Sequence, residues 1–504
     1  MVKKVSHLWI IVGLLLVVWG FLLYRVDAKL FGHHDASIVW MSAAVRNMND
    51  FGAAAVDYLP LRMPEPTTPD NPDNYYYLHH PPTIIWIDAI ASQLFGVNDP
   101  IPSPKEISMR MVAYIATMLS LPLLYVVVRR LLNENAALIA LFLYAATPIT
   151  LYFGRQPHYD ILMMPLALLY IAIFISWMRK YSFSKSVMLF VVAAAMMWLD
   201  WPGVFYLAPL GVYALIFGNN KHRIAMIAIG VLTMIATGLI FVMYEILRPG
   251  TFTDDIMEIV ELRTSTSSDG YTSPSFTISD YFKRQVQHFF TSASIAISIF
   301  GIIGIVRLLV SKKDRNIYLL LTVILIPILF MAIVRNSFYI HDWYKIHFMP
   351  GLTAAAGALI WAGWNTEPDT IIKRYIKPFI VAICVSSVGV TGYWLVSLHL
   401  TSINNVFERD LAEQLAMQTE VDDLIATNFD QLRTMVEYYA YRDVLWGVSQ
   451  EAALEFIEEQ EPGTVDLYYM ICVEEETVDT YDGIFSEYEY TVIGGRCRLI
   501  HIVQ

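Results

Sequence analysis

The stretch FGHHDASIVW, residues 31–40, places Gly32, His33, His34 and Asp35 just behind an apolar run, Leu8–Tyr24, and then turns apolar again at Ile38, Val39 and Trp40. A carboxylate in that position can take a proton from a hydroxyl, and imidazoles beside it can tune it, bind phosphate or ligate a metal. Arg155, Arg335, Lys345 and His80 stand at the ends of other apolar runs, where a cation can hold an anion. Such groups form one site only if the runs between them bring them to one side of a barrier.

The composition says what that barrier is. Of 504 residues 56% are hydrophobic and 16% charged, against about 45–50% and about 25% in soluble domains. This is the composition of a membrane protein. The net charge of -12 is unevenly distributed: residues 401–504 hold 22 acidic and 5 basic side chains, leaving 24 acidic and 29 basic for residues 1–400. An acidic tail follows a mildly basic membrane body, and no nucleic acid is expected as a partner.

A hydrocarbon core of about 30 Å takes roughly 20 helical residues. Eleven charge-poor stretches approach that length: 7–25, 108–128, 136–153, 159–177, 186–200, 203–218, 224–245, 290–309, 317–334, 346–364 and 378–397. The two short ones at 186–200 and 203–218 hinge at Asp200-Trp201-Pro202-Gly203. Lys3-Lys4, Arg129-Arg130, Arg179-Lys180, Lys221 with Arg223, Lys312-Lys313 and Lys373-Arg374 all fall on one side, which the positive-inside rule makes the cytoplasm. The N-terminus is then cytoplasmic and the tail extracytoplasmic in a multi-pass plasma-membrane protein. The first run exceeds the usual 7–15 or so residues of a signal-peptide core, so it reads as an uncleaved anchor.

The long connections, 26–107 and the Ser/Thr-rich 246–289, then lie outside with 154–158 and 335–345. The first contains two amphipathic stretches, Ala36–Met48 and Thr83–Phe95, which read as helices lying along the membrane surface. The expected architecture is an all-α polytopic membrane protein of about eleven spans at 1–397, with a small α/β or α+β domain at 398–504. The tail reads as a helix over Asn405–Ala426 with strands in TVDLYYMICV and YTVIGGRCRLIHIV. Cys472 and Cys497 either pair, if the tail is outside, or stay as free thiols in a small core.

Four stretches, YYYLHHPPTIIWIDAIASQLFG, ISMRMVAYIATMLSLPLLYVVVRRL, YFGRQPHYDILMMPLALL and HDWYKIHFMPGLTAAAGALIWAG, occur in the order seen in the glycosyltransferase C superfamily. With an acidic residue soon after the first span, the chain resembles the protein O-mannosyltransferases and lipid A aminoarabinose transferases of that superfamily. The resemblance implies an inverting enzyme that passes a sugar from a polyprenyl-phosphate donor to a glycan, lipid or protein acceptor on the outer face. It implies a catalytic acid residue in the first outer loop, where Asp35 matches; many relatives carry Asp-Glu, whereas here Ala36 follows.

A base within about 3 Å of the acceptor hydroxyl contributes roughly 10²–10⁴ in rate, and a phosphate leaving group needs no separate acid. Asp35 is therefore the expected base. Arg155, His80, Lys345 and Arg335 are the expected phosphate ligands, with His34, Asp160 and His341 in support. His80 precedes Pro81-Pro82 where aminoarabinose-transferase relatives commonly have a lysine, which removes a permanent charge.

His33, His34, His79, His80, His158, His288 and His341 would face outside with Asp35, Asp342 and Glu65, types that zinc favours. No HxxxH or HExxH spacing occurs, and the reaction needs no Lewis acid, so no metal or cofactor is expected to be required. The alternative reading is a polytopic transporter or flippase for a lipid-linked or small polar substrate. Against it, the spans carry almost no charge at mid-membrane, where each would cost about 2.5–3.5 kcal/mol, and no internal repeat is apparent.

Overall fold

The structure, a computed structural model, describes residues 2–24, 26–27, 36–63, 75–95, 106–250, 256–264, 276–311, 314–364, 382, 404–420, 423–427, 438–440, 442–446, 467–472, 489–493 and 497–502. In chain order come α1 (Val2–Leu23), α2 (Ala36–Phe51), β1 (Leu61–Met63), β2 (Tyr75–Tyr76), α3 (Thr83–Phe95), α4 (Glu106–Leu131), α5 (Glu134–Ala145), α6 (Pro148–Tyr152), α7 (Tyr159–Arg179), α8 (Phe183–Leu199), α9 (Gly203–Phe217) and α10 (Asn220–Leu247). They are followed by α11 (Met257–Thr264), α12 (Ile278–Ala293), α13 (Ile295–Val310), α14 (Arg315–Ile333), α15 (Arg335–Ile340), a 3-10 turn (Trp343–Phe348) and α16 (Met349–Trp364). The tail holds α17 (Asn404–Gln418) and strands β3 (Leu424–Thr427), β4 (Asp443–Trp446), β5 (Leu467–Cys472), β6 (Tyr490–Ile493) and β7 (Cys497–Ile502).

Every expected span up to residue 364 falls on helix; 378–397 lies outside the described residues apart from position 382. Among the described residues five helices are long and apolar enough to cross a membrane, or up to seven if each of two bent pairs is one span. The bent pairs revise the expected boundaries. The stretch 136–153 breaks between α5 and α6 by 61°, and 290–309 breaks at Ser294, where α12 turns away from α13 by 108°. Ser294 takes a φ of 73°, and its side chain accepts a hydrogen bond from the N–H of Ile297, ending one helix and starting the next.

The chain divides into two compact units. The first, Met1–Val26, Leu78–Ile84 and Met109–Val396, is the helical body. Polar caps start its helices: Asn133, Asn219 and Asp314 each accept a first-turn backbone N–H with their side chains. Its helices meet where glycine allows backbone contact. A Cβ on Gly304 of α13 would lie 2.3 Å from the carbonyl oxygen of Ala355 on α16, and one on Gly357 of α16 would lie 2.6 Å from the carbonyl of Ala136 on α5. α16 is thus seated between α13 and α5, which fixes the height of the 3-10 turn that leads into it.

The second unit is Asp27–Tyr77, Ile85–Ser108 and Ser397–Gln504. α2 runs three residues beyond the expected Met48, and α3 matches its expected range. Ile38 and Val39 of α2 pack with Tyr438, and the neighbouring Tyr439 hydroxyl donates to Glu106. The sheet has the order β4-β3-β5-β7-β6, with β3 parallel to β4 and β5 and the β5, β7 and β6 pairings antiparallel. Leu411 and Leu415 of α17 pack on Ile425, Val444 and Met470. The helix stops at Gln418, short of the expected Ala426, because Leu424–Thr427 forms a strand instead. Cys472 and Cys497, opposite one another on β5 and β7, form a disulfide.

Asp88 on α3 is fully buried, and neither carboxylate oxygen has a hydrogen-bond partner. Burial pushes its pKa well above the usual carboxylate range. With the folded pKa above the unfolded value, stability is fullest below about pH 4 and falls as pH rises through the folded pKa. Asp88→Asn should therefore raise the melting temperature in detergent at pH 8, with the difference from the wild-type chain shrinking towards pH 4; a pH-independent difference would contradict the burial argument.

Candidate active site

His80, in the segment Leu78–Ile84 between β2 and α3, is buried where five separate parts of the first unit meet. Its Nδ1 lies 2.7 Å from Asp200 Oδ1, and its Nε2 lies 3.0 Å from a terminal nitrogen of Arg263. Its ring stacks on Tyr159, with centroids 4.1 Å apart and planes 16° apart. Its carbonyl accepts the Tyr244 hydroxyl at 2.7 Å. The preceding carbonyl, of His79, accepts the indole N–H of Trp201 at 2.8 Å, and Trp201 stacks on Phe241. The α8–α9 hinge, the start of α7 and the end of α10 therefore grip two consecutive residues ahead of Pro81-Pro82.

Donor and acceptor chemistry assigns the proton. A guanidinium only donates, so Nε2 of His80 must accept from Arg263, and the single ring proton sits on Nδ1 and is donated to Asp200. His80 is thus neutral in this arrangement, with Asp200 orienting it. Asp200, itself buried, also accepts the backbone N–H of Trp201 at 2.8 Å. Arg263 reaches two further groups, donating to the Tyr344 hydroxyl at 3.1 Å and to Ser337 Oγ at 3.4 Å. The half-buried guanidinium thus ties His80, Tyr344 and Ser337 together, and it is a group type that binds phosphate well.

A second relay starts one residue after Tyr159. Asp160 Oδ1 lies 2.7 Å from His347 Nε2, and His347 Nδ1 lies 2.7 Å from the Tyr206 hydroxyl. The same logic places a proton on Nε2 if Tyr206 donates to Nδ1. Asp160, one of the expected supporting residues, has its carboxylate engaged by His347.

The expected cations separate into different duties. Arg155 donates to the carbonyl of Tyr24 at 2.7 Å, and Arg110 to that of Val26 at 3.0 Å; both are buried, and together they hold the chain where it leaves α1 on its way to Asp35. Lys345 is fully buried, donating to Gln285 Oε1 at 2.6 Å with its ammonium 4.5 Å above the Phe338 ring. Arg335 is exposed and donates to the carbonyl of Thr264, next to Arg263. His341 stacks on Trp343 with centroids 4.0 Å apart, and His158 meets the same ring at 4.1 Å with its plane tilted by 37°. Of the four expected phosphate ligands, only His80 is in the cluster with Arg263. Asp35, His33, His34 and Glu65 lie outside the described residues. Among the described residues no group of three or more His, Cys, Asp or Glu is arranged to hold a metal.

Sequence reasoning missed Arg263, Tyr344, His347 and Tyr206, and treated Asp200 as a hinge residue. Arg263 is an isolated cation in the Ser/Thr-rich outer connection, and the only signal for it was that position, on the side where the positive-inside rule disfavours a charge.

The fold around this cluster is shared with known proteins. ArnT from Cupriavidus metallidurans, solved with undecaprenyl phosphate bound, aligns at a TM-score of 0.65 with 15% identity, covering 98% of each chain. The Archaeoglobus fulgidus oligosaccharyltransferase in its apo form aligns at 0.61 with 14% identity, covering 96% of this chain and 72% of that one. The mycobacterial arabinofuranosyltransferase AftD aligns at 0.50 with 12% identity, over 93% of this chain and 35% of that one. The chain has the glycosyltransferase C fold. A family model described as dolichyl-phosphate-mannose-protein mannosyltransferase matches residues 79–244, from His79 to Tyr244. No curated protein matches it. The resemblance drawn from four sequence stretches is borne out.

The proton assignment makes a spectroscopic prediction. In ¹⁵N-histidine spectra near neutral pH, His80 should give the pattern of a neutral ring protonated at Nδ1, and Asp200→Asn should disturb it. An imidazolium pattern for His80 in the resting protein would refute the arrangement.

Proposed function

We propose that this chain is an integral membrane glycosyltransferase that moves a sugar from a polyprenyl-phosphate-linked donor to an acceptor hydroxyl on the extracytoplasmic face, with inversion. The observation that carries the reading is the Asp200–His80–Arg263–Tyr344 cluster, which gathers a guanidinium, an imidazole and a phenol, groups that bind phosphate, at one place in the helical body. The fold shared with ArnT, a protein solved with undecaprenyl phosphate, supports a phosphate on a polyprenyl chain as that anion.

Beside the cluster there is room for such a chain. An apolar groove of about 620 Å³ runs between α8, α9 and α10, lined by residues that include Val204, Ala208, Gly211, Gly230 and Thr237. Phe241 in its lining stacks on Trp201, and one turn further along α10 Tyr244 reaches His80. A lipid lying in the groove would bring its phosphate up to Arg263 and His80.

In the proposed step the acceptor O–H proton passes to the Asp35 carboxylate as the oxygen attacks the anomeric carbon. The bond from that carbon to the phosphate oxygen breaks, and its electron pair stays on the phosphate. Arg263 and the Tyr344 hydroxyl receive the charge, with His80 holding Arg263 in place. Asp35 is assigned from the sequence, and Arg155 with Arg110 serves it by fixing the exit of α1. The disulfide in the tail fits an oxidising, extracytoplasmic side. The DNA-free, metal-free requirement stays an expectation of the chemistry, and the sugar donor, acceptor and bilayer are the proposed partners.

Turnover of a labelled polyprenyl-phosphate sugar in membranes tests the assignment. Asp35→Asn should lower kcat by roughly 10²–10⁴ with little change in KM, whereas Arg263→Gln should raise the donor KM at least tenfold. Unchanged turnover in both variants would overturn the proposal, and substrate uptake by proteoliposomes would point to transport instead.

A further inference from the structure

The polarity of α12 is reversed from that of a helix on a water-soluble protein. Ile278, Phe282, Val286 and Phe290, spaced at i, i+4, i+8 and i+12, are 74%, 60%, 52% and 42% exposed. The face turned into the protein carries Tyr281, Gln285, His288 and Ser292, all buried. A helix in water buries its apolar stripe, so an exposed apolar stripe over a polar buried face needs an apolar medium outside.

Three observations say what that medium is. The helix joins the apolar α13 through the 108° bend at Ser294, so it departs from the direction of α13 where that helix begins. Lys283, Arg284 and Gln287 are exposed beside the stripe, where lipid headgroups would meet them. Its N-terminus is closed by a capping box, in which Thr277 and Asp280 bond reciprocally and those bonds hold the Asp280 carboxyl below the usual range. A capped, rigid helix can then lie in one plane. The same reversal occurs in α3, where Ile87, Ile90 and Leu94 are exposed while Asp88 and Ser92 are buried.

The inner face is attached to the residues around the cluster. Gln285 donates to the carbonyl of Phe338 at 2.9 Å and accepts from Lys345 at 2.6 Å; the Tyr281 hydroxyl donates to the carbonyl of Met331. Lys345 immediately follows Tyr344, whose hydroxyl accepts from Arg263. From this we infer that α12 is an interfacial helix held by bilayer lipid, its apolar stripe seated among acyl chains, and that through Gln285 it positions Lys345 and with it the Tyr344 end of the candidate active site. The occupant of the stripe is the membrane surface, and Gln285 and Lys345 are positioning residues.

Spin labels test this in the full-length protein. On a Cys384→Ser background, single Phe282→Cys, Val286→Cys, Lys283→Cys and Gln287→Cys variants are labelled and reconstituted into phosphatidylethanolamine–phosphatidylglycerol vesicles. Labels at 282 and 286 should be more accessible to oxygen than to a water-soluble nickel chelate, with the order reversed at 283 and 287. Chelate access at 282 and 286, or protection from both reagents, would overturn the inference, the latter by pointing to a protein partner. The positioning arm rests on the transferase reading: Phe282→Ser with Val286→Ser should raise the donor KM about fivefold without lowering the melting temperature. An unchanged KM there would remove the link to Lys345 while leaving the labelling result to stand or fall separately.

Discussion

A guanidinium cannot accept a hydrogen bond, and the candidate active site is organised around that fact. Because Arg263 donates to His80 Nε2, the imidazole must be neutral with its proton on Nδ1, and a buried carboxylate must stand on the far side to receive it; Asp200 does. The arrangement joins one guanidinium to an imidazole, a phenol and a serine hydroxyl in a single hydrogen-bonded cluster. Such a cluster suits the anionic lipid phosphate of the proposed reaction.

Keeping such groups in place falls to contacts far from the chemistry. The Tyr344–His347 turn runs straight into α16, and α16 is seated by glycine-to-backbone contacts with α13 and α5. His80 is held from the other side by Tyr244 and by the Trp201 hinge, whose indole stacks on Phe241 in the lining of the apolar groove. Two carboxylate–imidazole pairs, at Asp200–His80 and Asp160–His347, bracket Tyr159, so the ring stacked on His80 is fixed by the chain on which the second pair stands.

Much of the architecture was legible because hydrocarbon imposes a simple rule on sequence: long charge-free runs become helix, as α4, α7, α10 and α14 did. What the rule does not report is where a run bends. Nothing in the apolar count over 290–309 distinguishes Ser294 as a break, since its positive φ comes from the tertiary fold. In the tail, Leu424 continues a helical spacing yet belongs to a strand, because pairing on both sides with β4 and β5 outweighs local periodicity. At the site, His80 was found because it stood beside paired prolines in a recognisable stretch. Arg263, Asp200 and His347 were not, since their side-chain partners lie from 74 to 187 residues away and only the folded chain brings them together.

The central claim is that this cluster recognises a phosphate on a polyprenyl chain. Equilibrium binding to the purified protein in nanodiscs, comparing a polyprenyl monophosphate with the corresponding polyprenol, tests it most directly. The account predicts at least tenfold tighter binding of the phosphate, with most of that preference lost in Arg263→Gln; equal binding of the two lipids, or a preference that survives the substitution, would contradict it.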